Sequence, residues 1–157
     1  MKKFLKFLFV SAFALLCVTG ISSCSKDDDD QPVDPSSIVG TWLESYGEWW
    51  EKENGVITDK GAGSSGEIIM YVFHSNGTVD IYDEDYDGEP DHTEMWKVND
   101  STLIMYYDEE ELANGNVVTY TIESVSQDTL VLSLYESWKD EDETWESYYK
   151  ASFKRVK

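Results

Sequence analysis

The feature that most constrains the fold of this chain is the regular spacing of short apolar runs between turn residues. Runs rich in β-branched and aromatic residues recur between clusters of Asn, Gly, Asp and Ser, and no segment shows a convincing helical period. This pattern is typical of an all-β meander. We predict an eight-stranded antiparallel up-and-down barrel. The predicted strands cover residues 38–51, 67–74, 78–83, 93–98, 102–108, 116–124, 129–138 and 144–156.

The register between neighbouring strands supports this meander. Pairing the last two strands about the loop 139–144 places Leu132 opposite Ala151 on an apolar face and Ser133 opposite Lys150 on a polar face. A three-residue turn with Gly77 left-handed gives a similar match between the second and third strands. The residues predicted to point into the barrel are Trp42, Phe73, Val79, Ile81, Trp96, Val98, Leu103, Met105, Tyr120, Ile122, Leu130, Leu132 and Phe153.

Three residues at the two ends of the chain are predicted to close the barrel. Gly40 precedes the inward Trp42 by two positions, and Arg155 in the last strand is available to stack on the indole. Such a cation–π contact is worth ~0.5–2 kcal/mol, depending on desolvation. This arrangement resembles the lipocalin signature and its closing arginine.

Two further stretches, residues 73–79 and 96–98, extend the resemblance to bacterial lipocalin-like lipoproteins over nearly the whole mature domain. The chain differs from larger lipocalins because it lacks a C-terminal helix and a disulfide. An eight-stranded barrel has an interior that side chains alone can fill, so the resemblance does not by itself imply a roomy cavity.

Residues 1–23 are predicted to be a lipoprotein signal peptide. Three early lysines precede an apolar run, residues 7–18, that is too short to span a bilayer. Ile21-Ser22-Ser23-Cys24 then resembles the lipobox of bacterial lipoproteins, which implies that Cys24 is lipidated; an ordinary secretory signal is the alternative. Several acyl chains on one residue give stable anchoring. Cys17 leaves with the signal, so no thiol remains for a disulfide, a metal site or a nucleophile.

Residues 24–37 are predicted to be an acidic and Pro-containing tether that precedes the barrel domain, residues 38–157. Asp27 to Asp30 form a solvated, self-repelling run. The run also resembles the acidic segment that follows the lipidated cysteine in surface-exported lipoproteins of Bacteroidota-type bacteria, with a plain spacer as the alternative. We therefore expect a protein of the outer membrane, lipid-anchored and exposed at the cell surface if the export resemblance holds.

The charge of the mature chain limits its partners. Removal of residues 1–23 leaves nine basic residues against 32 acidic ones, a formal net charge of −23. Nucleic acid is excluded as an expected partner because phosphate binding needs a basic patch. The same charge argues against adsorption to anionic lipid or anionic polysaccharide. The expected partners are the membrane, through the lipid anchor, and a small-molecule or protein ligand.

Alternate connections of the predicted meander meet at one end of the barrel, and three of them are acidic. They carry fourteen carboxylates in residues 83–91, 108–111 and 140–143. Residues 83–94 also match the calcium-loop pattern of acidic residues at positions 1, 3 and 5, glycine at 6 and glutamate at 12. Pro90 at position 8 and the absence of flanking helices depart from that pattern. The predicted calcium ligands are Asp83, Asp85, Asp87, Glu89 (through its carbonyl) and Glu94.

Aromatic residues gather toward the same end of the first and last two predicted strands. Amphipathic rings at a wet site are suited to stacking on a sugar or a planar ligand. Cross-strand pairs that stabilise a barrel without disulfides are the alternative, and the simpler one. The candidate ligand-binding residues are Tyr46, Trp50, Trp138, Trp145 and Tyr149. The Gly- and Ser-rich stretch 54–66 is predicted to be a mobile lid, with a disordered insertion as the alternative.

These features together predict a non-catalytic binding module. Its acidic, aromatic mouth would take a small apolar, saccharide or cationic ligand, with calcium as the one predicted cofactor. The alternative is a filled, structural barrel that binds another envelope protein through its loops. An enzyme is not expected, because His74 and His92 have no thiol or evident hydroxyl partner, although a carboxylate pair of the glycosidase type is compatible with so acidic a chain.

Overall fold

The computed structural model describes residues 32–64, 69–83, 88–140 and 143–157. These residues form nine β-strands, one 3₁₀ turn at Pro35–Ser37 and one short helix, α1. The elements are β1 (Gly40–Glu53), β2 (Val56–Gly63), β3 (Met70–Phe73), β4 (Thr78–Tyr82), β5 (His92–Asn99), β6 (Thr102–Tyr106), α1 (Glu109–Asn114), β7 (Val118–Val125), β8 (Thr129–Asp140) and β9 (Glu143–Val156).

Eight of these strands close into an antiparallel barrel, which confirms the predicted fold class. β3 to β9 pair in chain order, and β1 joins β3 to β9. Leu43 of β1 lies opposite Met70 on one side and Lys154 on the other. Because β1 has a partner on each side here, the barrel has no free edge along this stretch.

The predicted pairings between strands are confirmed. Leu132 lies opposite Ala151, and Ser133 lies opposite Lys150. The left-handed Gly77, with φ 86°, turns β3 into β4. Of the predicted inward set, Val98 and Tyr120 are only partly buried, and the others are buried. Ile38 and Tyr106 were not predicted. The core contains Ile38, Trp42, Phe73, Val79, Ile81, Trp96, Leu103, Met105, Tyr106, Ile122, Leu130, Leu132, Ala151 and Phe153.

The prediction of a mobile lid at residues 54–66 was wrong for most of that stretch. Asn54 and Gly55 both have positive φ, 53° and 79°, and they turn the chain into β2. This is the backbone of a two-residue hairpin, for which Asn-Gly is the preferred sequence. β2 pairs with the second half of β1, from Gly47 to Glu53, and so extends the barrel wall. Residues 65–68 lie outside the described part of the chain.

Helix α1 was not predicted either, because six residues are too few to establish a helical period. Its local signals are nevertheless present. The side chain of Asp108 accepts hydrogen bonds from the backbone N–H groups of Glu110 and Glu111, both at 2.9 Å. Acidic residues fill the first turn, where they interact favourably with the helix dipole. Gly115, with φ 79°, ends the helix.

The two ends of the barrel differ, and we call them the closed end and the mouth. The closed end holds the turns at residues 74–77, 100–101 and 126–128, together with the 3₁₀ turn. Of the described residues, the mouth holds 54–55, 83, 88–91, 107–117, 140 and 143. Within the described residues, no helix combines the length and the apolar character needed to cross a membrane. The predicted signal peptide and Cys24 lie outside the described residues, so lipidation stays a prediction.

Candidate functional site

Arg155 and Trp42 meet at the closed end. The guanidinium carbon of Arg155 lies 4.0 Å from the centroid of the Trp42 ring. Each side-chain nitrogen of Arg155 donates a hydrogen bond of 2.7 Å to a backbone carbonyl: those of Gln127, Val39 and Ser37. A planar guanidinium with a fixed set of donors is well suited to such simultaneous contacts. Arg155 therefore connects β9 with the chain segment that enters β1.

Gly40 makes this arrangement possible. Its φ of 133° is one that side chains rarely allow, and a Cβ atom at this position would overlap the guanidinium of Arg155. Trp42, which is fully buried, donates from Nε1 to the carbonyl of Ile38 at 2.6 Å. With these contacts, the indole nitrogen and each of the three guanidinium nitrogens have a hydrogen-bond partner.

A layer of tyrosines lies above the apolar core. The Tyr149 hydroxyl donates to Oε2 of Glu44 at 2.6 Å, and Tyr71 and Tyr120 share a hydrogen bond. Burial raises the pKa of Tyr71 well above its ordinary value, and the neighbouring Tyr120 adds to the shift. Burial and the Glu44 carboxylate also raise the pKa of Tyr149. This layer therefore stays uncharged and marks the change from apolar core to polar mouth.

One cavity of the mouth lies between β5, β6, α1 and β7. It has a volume of about 450 Å³. Met105 at its base belongs to the core, whereas Glu94, Tyr107 and Asp108 supply polar atoms to its walls. The ring of Tyr107 stacks on His92 with the centroids 6.4 Å apart and the planes 5° apart. This space thus combines an apolar base with a carboxylate and aromatic wall.

A second cavity lies on the opposite side of the mouth, against β1, β8 and β9. Its volume is about 290 Å³. Trp49 and Leu134 give it apolar surface, Glu51 and Glu136 give it carboxylates, and Tyr149 of the tyrosine layer also borders it. Both cavities are therefore amphipathic.

The charges on the inner wall are almost all negative. Strand alternation places Glu51, Glu94 and Glu136 on the inner face, together with His92. By the same alternation, every lysine of the described barrel strands lies on the outer face. The charges of Glu94 and Glu136 also contribute to the raised pKa of Tyr120, for which burial is the main cause. A ligand in the mouth therefore meets a negative field.

The predicted ligand-binding residues are divided between the two faces of the barrel wall, and ligand binding by any of them stays a prediction. Tyr46 and Trp50 have the register of the outer face, although Trp50 also borders the smaller cavity. A β-bulge between Glu44 and Tyr46 shifts the alternation of β1. A bulge of one extra residue reverses which side chains point inward. Gly47 and Trp49 consequently occupy the inner face, and Tyr46 and Trp50 lie outside the barrel. Trp49 was missed for the same reason.

Trp50 belongs to an aromatic cluster on the outer wall. It stacks on Tyr148 with the centroids 5.7 Å apart and contacts Tyr135 at 6.2 Å. The Lys52 ammonium lies 4.1 Å from the Trp50 ring centroid. These are cross-strand contacts of the kind that stabilise a sheet.

The other three candidates are on the inner face. Trp138 and Trp145 stack at the rim with the centroids 6.3 Å apart and the planes 8° apart. Trp138 is 53% exposed, so one side of this pair is available to a ligand. Tyr149 lies deeper, in the tyrosine layer. Tyr149 borders the smaller cavity, whereas Trp138 and Trp145 lie at the rim.

The predicted calcium site is only partly described. Asp85 and Asp87 lie outside the described residues. The backbone N–H of Asp83 donates to the Asp91 carboxylate at 2.7 Å, and Glu94 lies 3.3 Å from Nε2 of His92. In the described part of the chain, no group of three His, Cys, Asp or Glu side chains converges on a metal position. Calcium binding by this loop, including Glu89, stays a prediction.

His74 also has a carboxylate partner, but the geometry does not match a nucleophilic triad. Asp80 lies between His74 and Thr93, at 2.7 Å from the imidazole and 2.6 Å from the hydroxyl. These hydrogen bonds, that from Thr93 first, hold the pKa of Asp80 below its usual value. In a triad the imidazole stands between the carboxylate and the hydroxyl. Here the carboxylate stands in the middle, so the three groups do not form a triad of that kind.

No protein-family model matches the sequence, and no curated protein matches it. Two solved structures are similar to the barrel, and both are bovine odorant-binding protein. A deswapped triple mutant shares 19% identity over 76% of this chain and 74% of that chain, with a TM-score of 0.42. A complex with the natural ligand shares 18% identity over 83% and 78%, with a TM-score of 0.41. Similarities of this size give no information about the ligand of this chain.

Proposed function

We propose that this protein is a lipid-anchored, non-catalytic binding protein of the outer envelope with a lipocalin-like barrel. Its mouth takes a small ligand that combines an apolar or aromatic body with a positive charge. The anchor is proposed from the sequence around Cys24, and surface exposure from the acidic run that follows it. Uncharged apolar and saccharide ligands are the weaker choices, because the charges on the inner wall of the mouth are mainly negative.

The observation that carries the proposal is the division of the barrel interior. Trp42, Phe73 and Phe153 fill the closed end, and each is almost completely buried. Cavities of about 450 and 290 Å³ lie on the mouth side of that packed region. Typical small-molecule sites are clefts of roughly 300–1,000 Å³ with mostly apolar walls and a few convergent polar groups. The larger cavity falls within that range of volumes, and both cavities combine apolar surface with a few carboxylates.

The inner charges favour a cation over a neutral or anionic ligand. Glu51, Glu94 and Glu136 face the interior, and the described barrel lysines face outward. A charged site of one sign attracts ligands of the opposite sign and rejects those of its own. Aromatic faces such as that of Trp138 also attract cations. An ammonium group attached to a ring therefore matches both kinds of wall.

A matched ligand series tests the proposal. Phenylethylamine, phenylethanol and phenylacetate share a ring and a two- or one-carbon arm but differ in charge. Isothermal titration and tryptophan fluorescence should show that the amine binds best, the alcohol more weakly, and the acid not at all. Absence of binding by all three, or tightest binding of phenylacetate, would contradict the proposal.

A second candidate function is a structural barrel that binds another envelope protein. It is favoured by the outer cluster of Trp50, Tyr148 and Tyr135, beside a groove of about 510 Å³ that includes Ile57 and Ala62. Native mass spectrometry separates the two candidates. A bound or retained small molecule supports the first. The mass of the protein alone, together with no binding in the ligand series, supports the second.

A further inference from the structure

We infer that the closed end of the barrel faces the lipid surface and that the mouth points away from it. The inference depends on where the tether leaves the folded domain and on how short the tether is. It rests on the proposed lipid anchor at Cys24, and the experiment below separates a failure of the anchor from a failure of the orientation.

The chain enters the domain at the closed end. The backbone N–H of Val33 donates to the carbonyl of Asp100, in the β5–β6 turn, at 3.0 Å. Asp34 then caps the 3₁₀ turn by accepting from the N–H of Ser36 at 2.9 Å. Val33 packs on the core, and Ile38 is completely buried. Residues 33–37, which the sequence prediction assigned to the tether, are therefore part of the folded closed end.

This entry point is fixed by side-chain contacts as well. Arg155 donates to the carbonyls of Ser37 and Val39, each at 2.7 Å. Arg155 is itself held against Trp42. Because residues 33–39 are bonded to the barrel, the chain enters the folded domain at Val33, at the closed end.

The chain between Cys24 and Val33 is too short to let the mouth of the barrel face the membrane surface. Cys24 and Val33 are nine residues apart, which corresponds to roughly 30 Å of fully extended chain. β9 has 14 residues, and a strand of that length tilted as in small barrels rises about 35 Å along the barrel axis. A tether that ran back along the wall would end near the rim, with no length left for the mouth to face the bilayer.

Charge acts in the same direction. The described mouth residues include the acidic run Asp108 to Glu111, Asp140 and Glu143. The described mouth connections that carry them contain no lysine or arginine. An anionic lipid surface repels such an end. The closed end is balanced by comparison. Its turns and chain ends carry Asp34, Asp100, Asp128, Lys154, Arg155 and Lys157.

Single-cysteine labelling tests the orientation directly. The mature chain has one cysteine, Cys24, whose thiol the lipid would occupy. Ser75→Cys places a label in an exposed turn of the closed end, and Ala113→Cys places one on the exposed side of α1 at the mouth. The lipidated variants are reconstituted in vesicles that contain an energy-transfer acceptor in the headgroups. The unlipidated Cys24→Ser form of each variant gives the baseline.

We expect several-fold greater energy transfer from position 75 than from position 113. Equal transfer, or greater transfer from position 113, would overturn the orientation while leaving the anchor intact. Absence of both transfer and vesicle binding would overturn the anchor and the orientation together. An insertion of roughly ten Gly and Ser residues after Asp30, which doubles the free tether, should reduce the difference. A difference unchanged by that insertion would contradict the role of tether length.

Discussion

The closed end and the mouth are built from the same strands but use their side chains in opposite ways. At the closed end, Trp42 and Phe153 are buried, and each nitrogen of Arg155 has a carbonyl partner. At the mouth, Trp138 remains half-exposed, and carboxylates such as Glu136 face the interior. Buried and fully paired groups stabilise a fold, whereas exposed rings and unneutralised charge leave capacity for a ligand.

This contrast teaches that stability and binding are separated along the barrel axis. The tyrosine layer, in which Tyr149 donates to Glu44, is the boundary between them. Changes below that layer should reduce the free energy of unfolding. Changes above it should alter ligand binding and leave the free energy of unfolding nearly unchanged. The four predictions that follow test this separation, from the largest expected effect to the smallest.

The largest effect is expected for Trp42→Ala. Removal of a fully buried indole leaves a large cavity, and such changes cost about 3–5 kcal/mol. The substitution also removes the ring under Arg155. Urea unfolding, followed by circular dichroism, measures the loss.

The matched control is Trp138→Ala at the mouth, where the ring is 53% exposed. We expect a loss below ~1 kcal/mol, because an exposed aromatic ring contributes chiefly through its cross-strand contact. Similar losses for the two tryptophans would mean that the ends do not differ as proposed.

A smaller loss is expected for Arg155→Lys. Lysine keeps the charge, but its single ammonium cannot reproduce three hydrogen bonds from a planar group. The carbonyls left without partners should cost about 1–3 kcal/mol. Lys154→Ala, next to it but exposed, should be within ~0.5 kcal/mol of the parent protein. An Arg155→Lys variant as stable as the parent would show that the charge alone closes the barrel.

Above the tyrosine layer, Glu136→Gln should weaken binding of phenylethylamine about fivefold, or roughly 1 kcal/mol, because it removes one charge from a partly hydrated wall. The free energy of unfolding should stay within ~0.5 kcal/mol, since the residue is exposed. Isothermal titration gives the affinity. Glu123→Gln on the outer wall is the control and should leave the affinity unchanged; equal weakening by both variants would place the ligand elsewhere.

The smallest effect concerns the tyrosine layer itself. The folded state holds the protons of Tyr71 and Tyr149 more tightly than the unfolded chain, because their pKa values are raised. Stability from this difference is present below the ordinary tyrosine pKa of 10.0 and decreases as the pH rises above it. Tyr149→Phe should cost ~0.5 kcal/mol at neutral pH, the lower end for a lost hydrogen bond, because Tyr149 is only partly buried. It should also show a shallower alkaline decrease. Unfolding curves at pH 8 to 11 check both points, and a decrease of equal slope in the variant would exclude Tyr149 as a contributor.

The sequence predicts the closed end better than the mouth, and the reason is physical. Alternation with a period of two, together with tight turns such as that at Gly77, sets the register of strand pairs from local information. The pairs Leu132–Ala151 and Trp96–Met105 were therefore predictable. The same alternation identified most of the core.

The mouth was harder to predict because its geometry depends on irregularities. The bulge between Glu44 and Tyr46 cannot be detected from the alternation of inward and outward residues along β1. It nevertheless moves Trp50 to the outer wall. Asn54-Gly55 indicates a hairpin turn before β2, but the Gly-rich sequence that follows is typical of a loop. That glycine content has a steric cause at Gly61, where the Trp49 ring occupies the position of a Cβ atom. Such a contact is known only once β1 and β2 are paired.

Native-state hydrogen exchange, measured with and without phenylethylamine, tests the separation of the two ends most directly. Buried, hydrogen-bonded cores exchange through global unfolding, and regions of low local stability exchange through local opening. We expect amides of β1 near Trp42 and of β9 near Phe153 to exchange only by global unfolding, and amides of α1 to exchange by local opening. The amine should slow exchange at the mouth alone. Uniform protection along the barrel axis, or slowing by the amine at the closed end or on the outer wall around Trp50, would contradict the account.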